Sequence, residues 1–201
     1  MPDHRAEDDL TLIQRAAGGD KDAFEQLVER HQASVYRFLR TLVRDASTCE
    51  DALQETFLAV WRNASAFRGE SSPRSWLLTI ARHAAMRQFR RRVGEPQPDD
   101  FAPLDDDVTS LLDLGLAAGW GSPVNPEAAA IRGEERASIA RALDSLDADD
   151  RRVLVLRDLE QMTGEEAAAI LGLTLPALKS RLHRSRLRFA AHLRKETAHG
   201  R

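Results

Sequence analysis

The 201 residues include 42% hydrophobic side chains, enough for one medium core or two small ones, and two compact helical units are the expectation. No stretch approaches the ~18 apolar residues of a membrane-spanning helix, and the acidic start MPDHRAEDD is no secretory leader. The lone Cys49 excludes an internal disulfide or a multi-cysteine zinc site, so a reducing, cytoplasmic setting is expected.

The N-terminal part reads as successive helices. Leu10 to Ala17 forms a short one, ended by Gly18-Gly19, and Asp20 caps a second in which Phe24, Leu27 and Val28 share a face. A third is expected from about Ala33 to Arg44. Ser47-Thr48-Cys49-Glu50 has the spacing of a capping box and predicts a helix running to about Asn63. After the loop SAFRGESSPR, Ser72 and Pro73 form a cap and first-turn pair that opens a helix through WLLTIARHAAMRQFRRR.

Residues 94–125 hold four of the eight prolines, several glycines and no sustained period, a composition that reads as a linker. From Val93 to Ile131 there is no Lys or Arg, while Glu95, Asp99, Asp100, Asp105, Asp106, Asp107, Asp113 and Glu127 are all acidic. The formal net charge of -3 therefore averages an acidic block with basic ones and describes neither surface. Asn125-Pro126-Glu127 restarts helical structure to about Ser145, and Asp147 opens the next helix.

Thr163-Gly164-Glu165-Glu166 is a second capping box, leading into the short alanine-rich helix EEAAAILG. Gly172 then lets the backbone turn, and Thr174 caps a helix with Leu175, Leu178, Leu182, Phe189 and Leu193 on one side. Lys179, Ser180, Arg181, His183, Arg184, Arg186 and Arg188 lie mostly elsewhere around that helix. A short helix, a glycine turn and a basic helix make a helix-turn-helix, whose second helix enters the DNA major groove. Arginine and lysine there pair with guanine edges or hold phosphates; the competing reading is an ordinary solvated face.

The stretch CEDALQETFLAVWRNASAFRGESSPRSWLLTIARHAAMRQFRRR resembles the second conserved region of bacterial extracytoplasmic-function (ECF, group four) sigma factors, and LDSLDADDRRVLVLRDLEQMTGEEAAAILGLTLPALKSRLHRSR resembles their fourth region. The resemblance implies an all-α chain of two small helical domains. Residues 8–93 would bind core RNA polymerase and the minus-10 element, 94–125 would be an acidic flexible linker, and 126–195 would be a helix-turn-helix domain for the minus-35 element. It implies contacts to the β′ clamp helices through Asp51, Gln54, Glu55 and Leu58, to minus-10 DNA through Phe67, Arg68, Arg82, His83, Arg87 and Arg90, and to minus-35 DNA through Lys179, Ser180, His183, Arg184, Arg186 and Arg188. The β flap and an anti-sigma factor are further implied partners, and the linker is expected to thread through polymerase as a polyanionic stand-in for RNA. Trp76 reads as core and stays outside the predicted site.

His83 and Arg87 depart from the family, which commonly has Asn and often an acidic residue there, and Leu175-Pro176-Ala177-Leu178 replaces its usual threonine-containing start. A two-domain regulator that never engages core polymerase would explain the C-terminal motif but not the match from Glu50 to Arg92. The chain has no phosphate loop, no G-x-G-x-x-G and no H-E-x-x-H, so an enzyme is not expected, and neither a cofactor nor a metal is called for.

Overall fold

The computed structural model describes residues 8–93 and 138–199, and every regular element among them is helical. The expected linker and the helix restart at Asn125 lie outside the described residues. Helix α1 spans Asp9–Ala17, with the Asp8 carboxylate accepting from the Thr11 amide at 2.7 Å. Gly19, at φ +88°, takes the chain through a left-handed turn to Asp20. Asp20 accepts from the amides of Asp22 and Ala23 and also receives Arg15 Nε at 2.9 Å, locking the corner from both sides.

Helix α2 spans Lys21–Arg40, which corrects the expectation of separate second and third helices. No glycine or proline interrupts residues 21–40, and the polar run ERHQAS stays helical because His31 is buried and hydrogen-bonded through Nε2 to Asp9 at 2.7 Å. The helix ends four residues before Arg44, where the Thr41 hydroxyl donates to the Phe38 carbonyl. Helix α3 spans Ala46–Asn63 and is capped by Asp45, not by the predicted box at Ser47. One Asp45 oxygen accepts from the Ser47 hydroxyl and from the Thr48 amide and hydroxyl, and Glu50 stays exposed. A carboxylate two residues upstream thus satisfies the donors that the serine would have served.

A single 3₁₀ turn, Ala64–Ala66, leads into the loop before α4, Pro73–Val93. The predicted cap holds: Ser72 Oγ accepts from the Ser75 amide at 3.2 Å. Leu12, Ile13, Leu27, Phe38, Leu39, Val60, Leu77, Leu78 and Ala81 fill the space between these helices. Phe24 and Trp61 meet edge to face with centroids 4.9 Å apart. Cys49 is fully buried here beside the Tyr36 hydroxyl, and burial pushes its thiol up to about 12.

Helix α5 covers residues 138–144, and α6 spans Ala148–Leu154, capped by Asp147. Arg151 is almost completely buried and serves as a carbonyl clamp, donating to the Leu143, Asp144 and Leu146 oxygens at 2.9, 2.6 and 3.0 Å. It satisfies the last turn of α5, which would otherwise bury bare acceptors. The α6 backbone widens into a π-helical stretch, Val155–Leu159, and is followed by Gln161 in the left-handed region at φ +53°. Helix α7, Gly164–Leu171, begins with the predicted capping box between Thr163 and Glu166 and ends at Gly172, φ +68°. Helix α8, Leu175–His199, then runs for 25 residues.

The two helical groups meet around a buried carboxylate. Glu160, just past the π-helical stretch, has no exposed side-chain surface and receives Ser34 Oγ at 2.6 Å, Arg37 Nε at 2.8 Å and the guanidinium of Arg74. Nearby, Arg152 Nε reaches the Thr41 carbonyl at 3.3 Å and Ser72 Oγ donates to Glu166.

His31 supplies a test of the N-terminal core. Burial lowers its pKa below the ordinary 6.5, outweighing the pull of Asp9, while Arg74 and Arg30 lower it further. The unfolded chain therefore binds the proton more readily, so stability falls as pH drops below 6.5. Urea denaturation at stepped pH should show this decline in the parent, and His31→Gln should flatten it.

Candidate nucleic-acid interface

Helix α8 lays Leu178 and Leu182 into the C-terminal core, which turns Lys179, Ser180, His183, Arg184 and Leu187 outward. Two observations explain how closely α7 supports it. Ala167 and Ala168 are buried at the crossing, and a Cβ on Gly164 would stand 2.9 Å from Leu175 Cδ1. The small residues bring the two helices into direct packing, as the sequence led one to expect.

The basic residues of α8 divide into two sets. Arg181 pairs with Asp149, Arg186 holds Asp158 through Nε at 3.0 Å and Nη2 at 2.6 Å, and Arg188 bridges Asp147 at 2.9 Å and Asp150 at 2.5 Å. Asp150 is itself buried and accepts the Ser185 hydroxyl at 2.7 Å. These arginines staple α8 to the start and end of α6. Lys179, His183 and Arg184 are exposed and have no ion pair among the described residues. Of the six residues predicted for this face, Arg186 and Arg188 are thus the two engaged within the fold.

The minus-10 candidates gather around the α3–α4 loop and one side of α4. Phe67 stacks at a tilt on Trp76, centroids 4.9 Å apart, so the aromatic ring left out of the prediction is its direct support. Arg68, His83 and Arg90 are exposed. The pKa of His83 is lowered, first by burial and then by the charges of Arg82 and Arg87. Arg87 is tied to Glu55, Nε to Oε1 at 2.6 Å, with Gln88 on the other oxygen at 3.0 Å. Glu55 is accordingly a strut between α3 and α4, whereas Asp51, Gln54 and Leu58, 53% exposed, form an open face on α3.

The sequence did not disclose the acidic side of either staple. Asp149 and Asp150 lie in the first turn of α6, and nothing local marks Glu160 as a partner for α2 and α4. Among the described residues no group of three or more His, Cys, Asp or Glu is placed to hold a metal, and no helix is long and apolar enough to cross a membrane.

Residues 27–94 match the model for Sigma-70 region 2, and residues 136–189 match that for Sigma-70, region 4. RNA polymerase sigma factor CnrH of Cupriavidus metallidurans is 32% identical over 187 residues, 92% of this chain and 94% of that protein. The chain belongs to the ECF sigma-factor family. ECF RNA polymerase sigma factor SigX of Bacillus subtilis is 30% identical over 82% of this chain and 80% of its own. Two solved structures have the same fold at 27% identity. CnrH in complex with the cytosolic domain of CnrY aligns with TM-score 0.59 over 93% of this chain and 97% of that one. RpoE in complex with the anti-sigma factor NepR from Bartonella quintana aligns with TM-score 0.61 over 87% and 98%. This sigma factor directs transcription initiation with core RNA polymerase on promoter DNA.

The staples make a prediction about stability. Asp150→Ala removes a buried carboxylate and leaves Arg188 on Asp147 alone and the Ser185 hydroxyl on the Arg181 carbonyl, so it should cost about 1–3 kcal/mol, while Asp158→Ala breaks an exposed pair and should cost under about 1 kcal/mol. Urea denaturation followed by far-UV circular dichroism measures both.

Proposed function

We propose that residues 126–195 read the minus-35 element through Lys179, Ser180, His183 and Arg184, and that residues 8–93 read the minus-10 element and dock on the β′ clamp helices. The observation that carries the minus-35 assignment is the division of α8: Arg181, Arg186 and Arg188 are committed to Asp partners, and the outward Lys179 and Arg184 are not. Arg186 and Arg188 act mainly by fixing the pitch of α8, adding a phosphate contact only at the rim. Phe67 on its Trp76 support, Arg68, His83 and Arg90 serve the opened strand, with Arg82 and Arg87 behind them. Asp51, Gln54 and Leu58 are the polymerase-facing residues of α3, and Glu55 holds that face in position. The solved complex of RpoE with the anti-sigma factor NepR supports an anti-sigma factor as a further partner. The protein works in the cytoplasm, without a catalytic step of its own. The acidic residues 94–125 join the two reading units and occupy the RNA path of the polymerase.

Run-off transcription with purified core polymerase tests the assignment. Arg184→Ala and Lys179→Ala should each weaken use of a promoter with a minus-35 element, by about 1–3 kcal/mol where the lost contact is a bidentate base pair contact. Leu58→Asp should weaken core binding and leave the fold intact, since its side chain stands clear of the core. Initiation that is unchanged by Arg184→Ala on every promoter would remove α8 from the DNA interface.

A further inference from the structure

Arg186 and Arg87 are held by carboxylates in two different ways. Arg186 gives Asp158 both Nε and Nη2, whereas Arg87 gives Glu55 only Nε, at 2.6 Å, and both its Nη groups stay free of hydrogen bonds among the described residues. The Arg87 side chain is 42% exposed, so a ligand can reach it from solvent. Its carboxylate partner cannot swing: Glu55 is mostly covered, and its second oxygen accepts Gln88 Nε2 at 3.0 Å. Two residues of α4 thus grip one side chain of α3, whose own turn is buried at Ala52 and Thr56. A guanidinium fixed in this way has already given up the rotamer freedom that an unheld arginine loses on binding. Arg87 is also a position at which α4 departs from the family pattern, and the acidic residue often found there would meet Glu55 with like charge.

We propose that Arg87 is a preset base reader, aimed by Glu55 at a guanine in the still-paired flank of the minus-10 element. The inference rests on the assignment of α4 to minus-10 DNA and adds to it a specificity-determining residue and a positioning residue. A phosphate can be held by a swinging cation, and Arg90, exposed and without an ion pair among the described residues, supplies one on the next turn. Fixing the plane of a guanidinium helps only against a directional target. Guanine is that target, because its O6 and N7 are two adjacent acceptors in the major groove. Adenine replaces one of them with a donor, cytosine offers a donor, and thymine sets a single acceptor beside its methyl group. The location follows from the helix. Arg87 stands about four turns into α4, roughly 20 Å from its start at Pro73, which is about six base pairs of B-DNA. The Phe67–Arg68 loop before that start takes the opened bases, and duplex lies beyond them. His83, one turn nearer the loop, feels the charge of Arg87 and shares its side of the helix.

The test is pooled run-off transcription by holoenzyme, assembled from core polymerase and the full chain, on templates randomised across the minus-10 element and about six base pairs on each side. Each template carries a barcode within its transcript, so ratios of use are read within one holoenzyme and differences in core affinity cancel. The parent should prefer guanine at one flanking position by about five-fold or more. Arg87→Ala should erase that preference and no other. Arg87→Lys, which keeps the charge without the fork, should also erase it while initiating better than the alanine variant. Glu55→Ala should reduce the same preference several-fold, and Glu55→Gln, whose carbonyl still accepts from Nε, should retain part of it, each with parental far-UV circular dichroism. A uniform loss across all templates on Arg87→Ala makes the residue a phosphate contact and overturns the reader. A preference lost with Arg87→Ala but untouched by both Glu55 variants overturns the aiming. A parent that discriminates only among the opened bases overturns the inference and leaves the minus-10 reading standing; a parent with no preference anywhere overturns both.

Discussion

A carboxylate with no access to water must be surrounded by donors, and Glu160 meets that requirement only by drawing α2 and α4 onto the end of α6. Much of the local backbone follows from this. The π-helical stretch Val155–Leu159 adds a fraction of a turn before Glu160, and the left-handed Gln161 turns the chain away immediately after it. Both features are departures from regular geometry at the point where one side chain has to be aimed across a boundary. The interface is therefore built around a buried ion-pair cluster, with a second carboxylate, Glu166, accepting from Ser72 beside it.

The helix-turn-helix uses its charges in a related way. Asp147, Asp149, Asp150 and Asp158 take up Arg181, Arg186 and Arg188, so α8 arrives at a duplex already fixed in pitch and roll. Fewer cations remain for DNA than the sequence of the helix advertises. This suits a reader that acts within a larger assembly, where polymerase supplies much of the non-specific hold and the helix supplies discrimination.

Local chemistry made most of the fold legible. Gly18-Gly19 with Asp20, Ser72 with Pro73, the Thr163–Glu166 box and the Gly172 turn each satisfy identifiable backbone donors or a positive φ, and each appears where the sequence puts it. The failures came where two local solutions competed or where the partner lay far along the chain. Asp45 displaced Ser47 as the cap of α3 because a carboxylate two residues upstream accepts more donors. The join within α2 was invisible because a polar stretch resembles a break until His31 is found buried against Asp9. In the site, exposed Lys179, His183 and Arg184 were readable from periodicity, but the commitment of Arg186 and Arg188 was not. Glu160 and its partners are separated by more than eighty residues, a distance over which periodicity and capping rules carry no information.

The one thiol of the chain lies sealed under Tyr36 in the N-terminal core, protonated at any pH a cell tolerates. A sulfur in that condition is neither a nucleophile toward peroxide nor a partner for glutathione. Oxidative or electrophilic stress consequently finds no cysteine on this polypeptide that it can mark. Whatever such a stress has to say must reach the sigma factor second-hand, as the arrival or departure of another molecule.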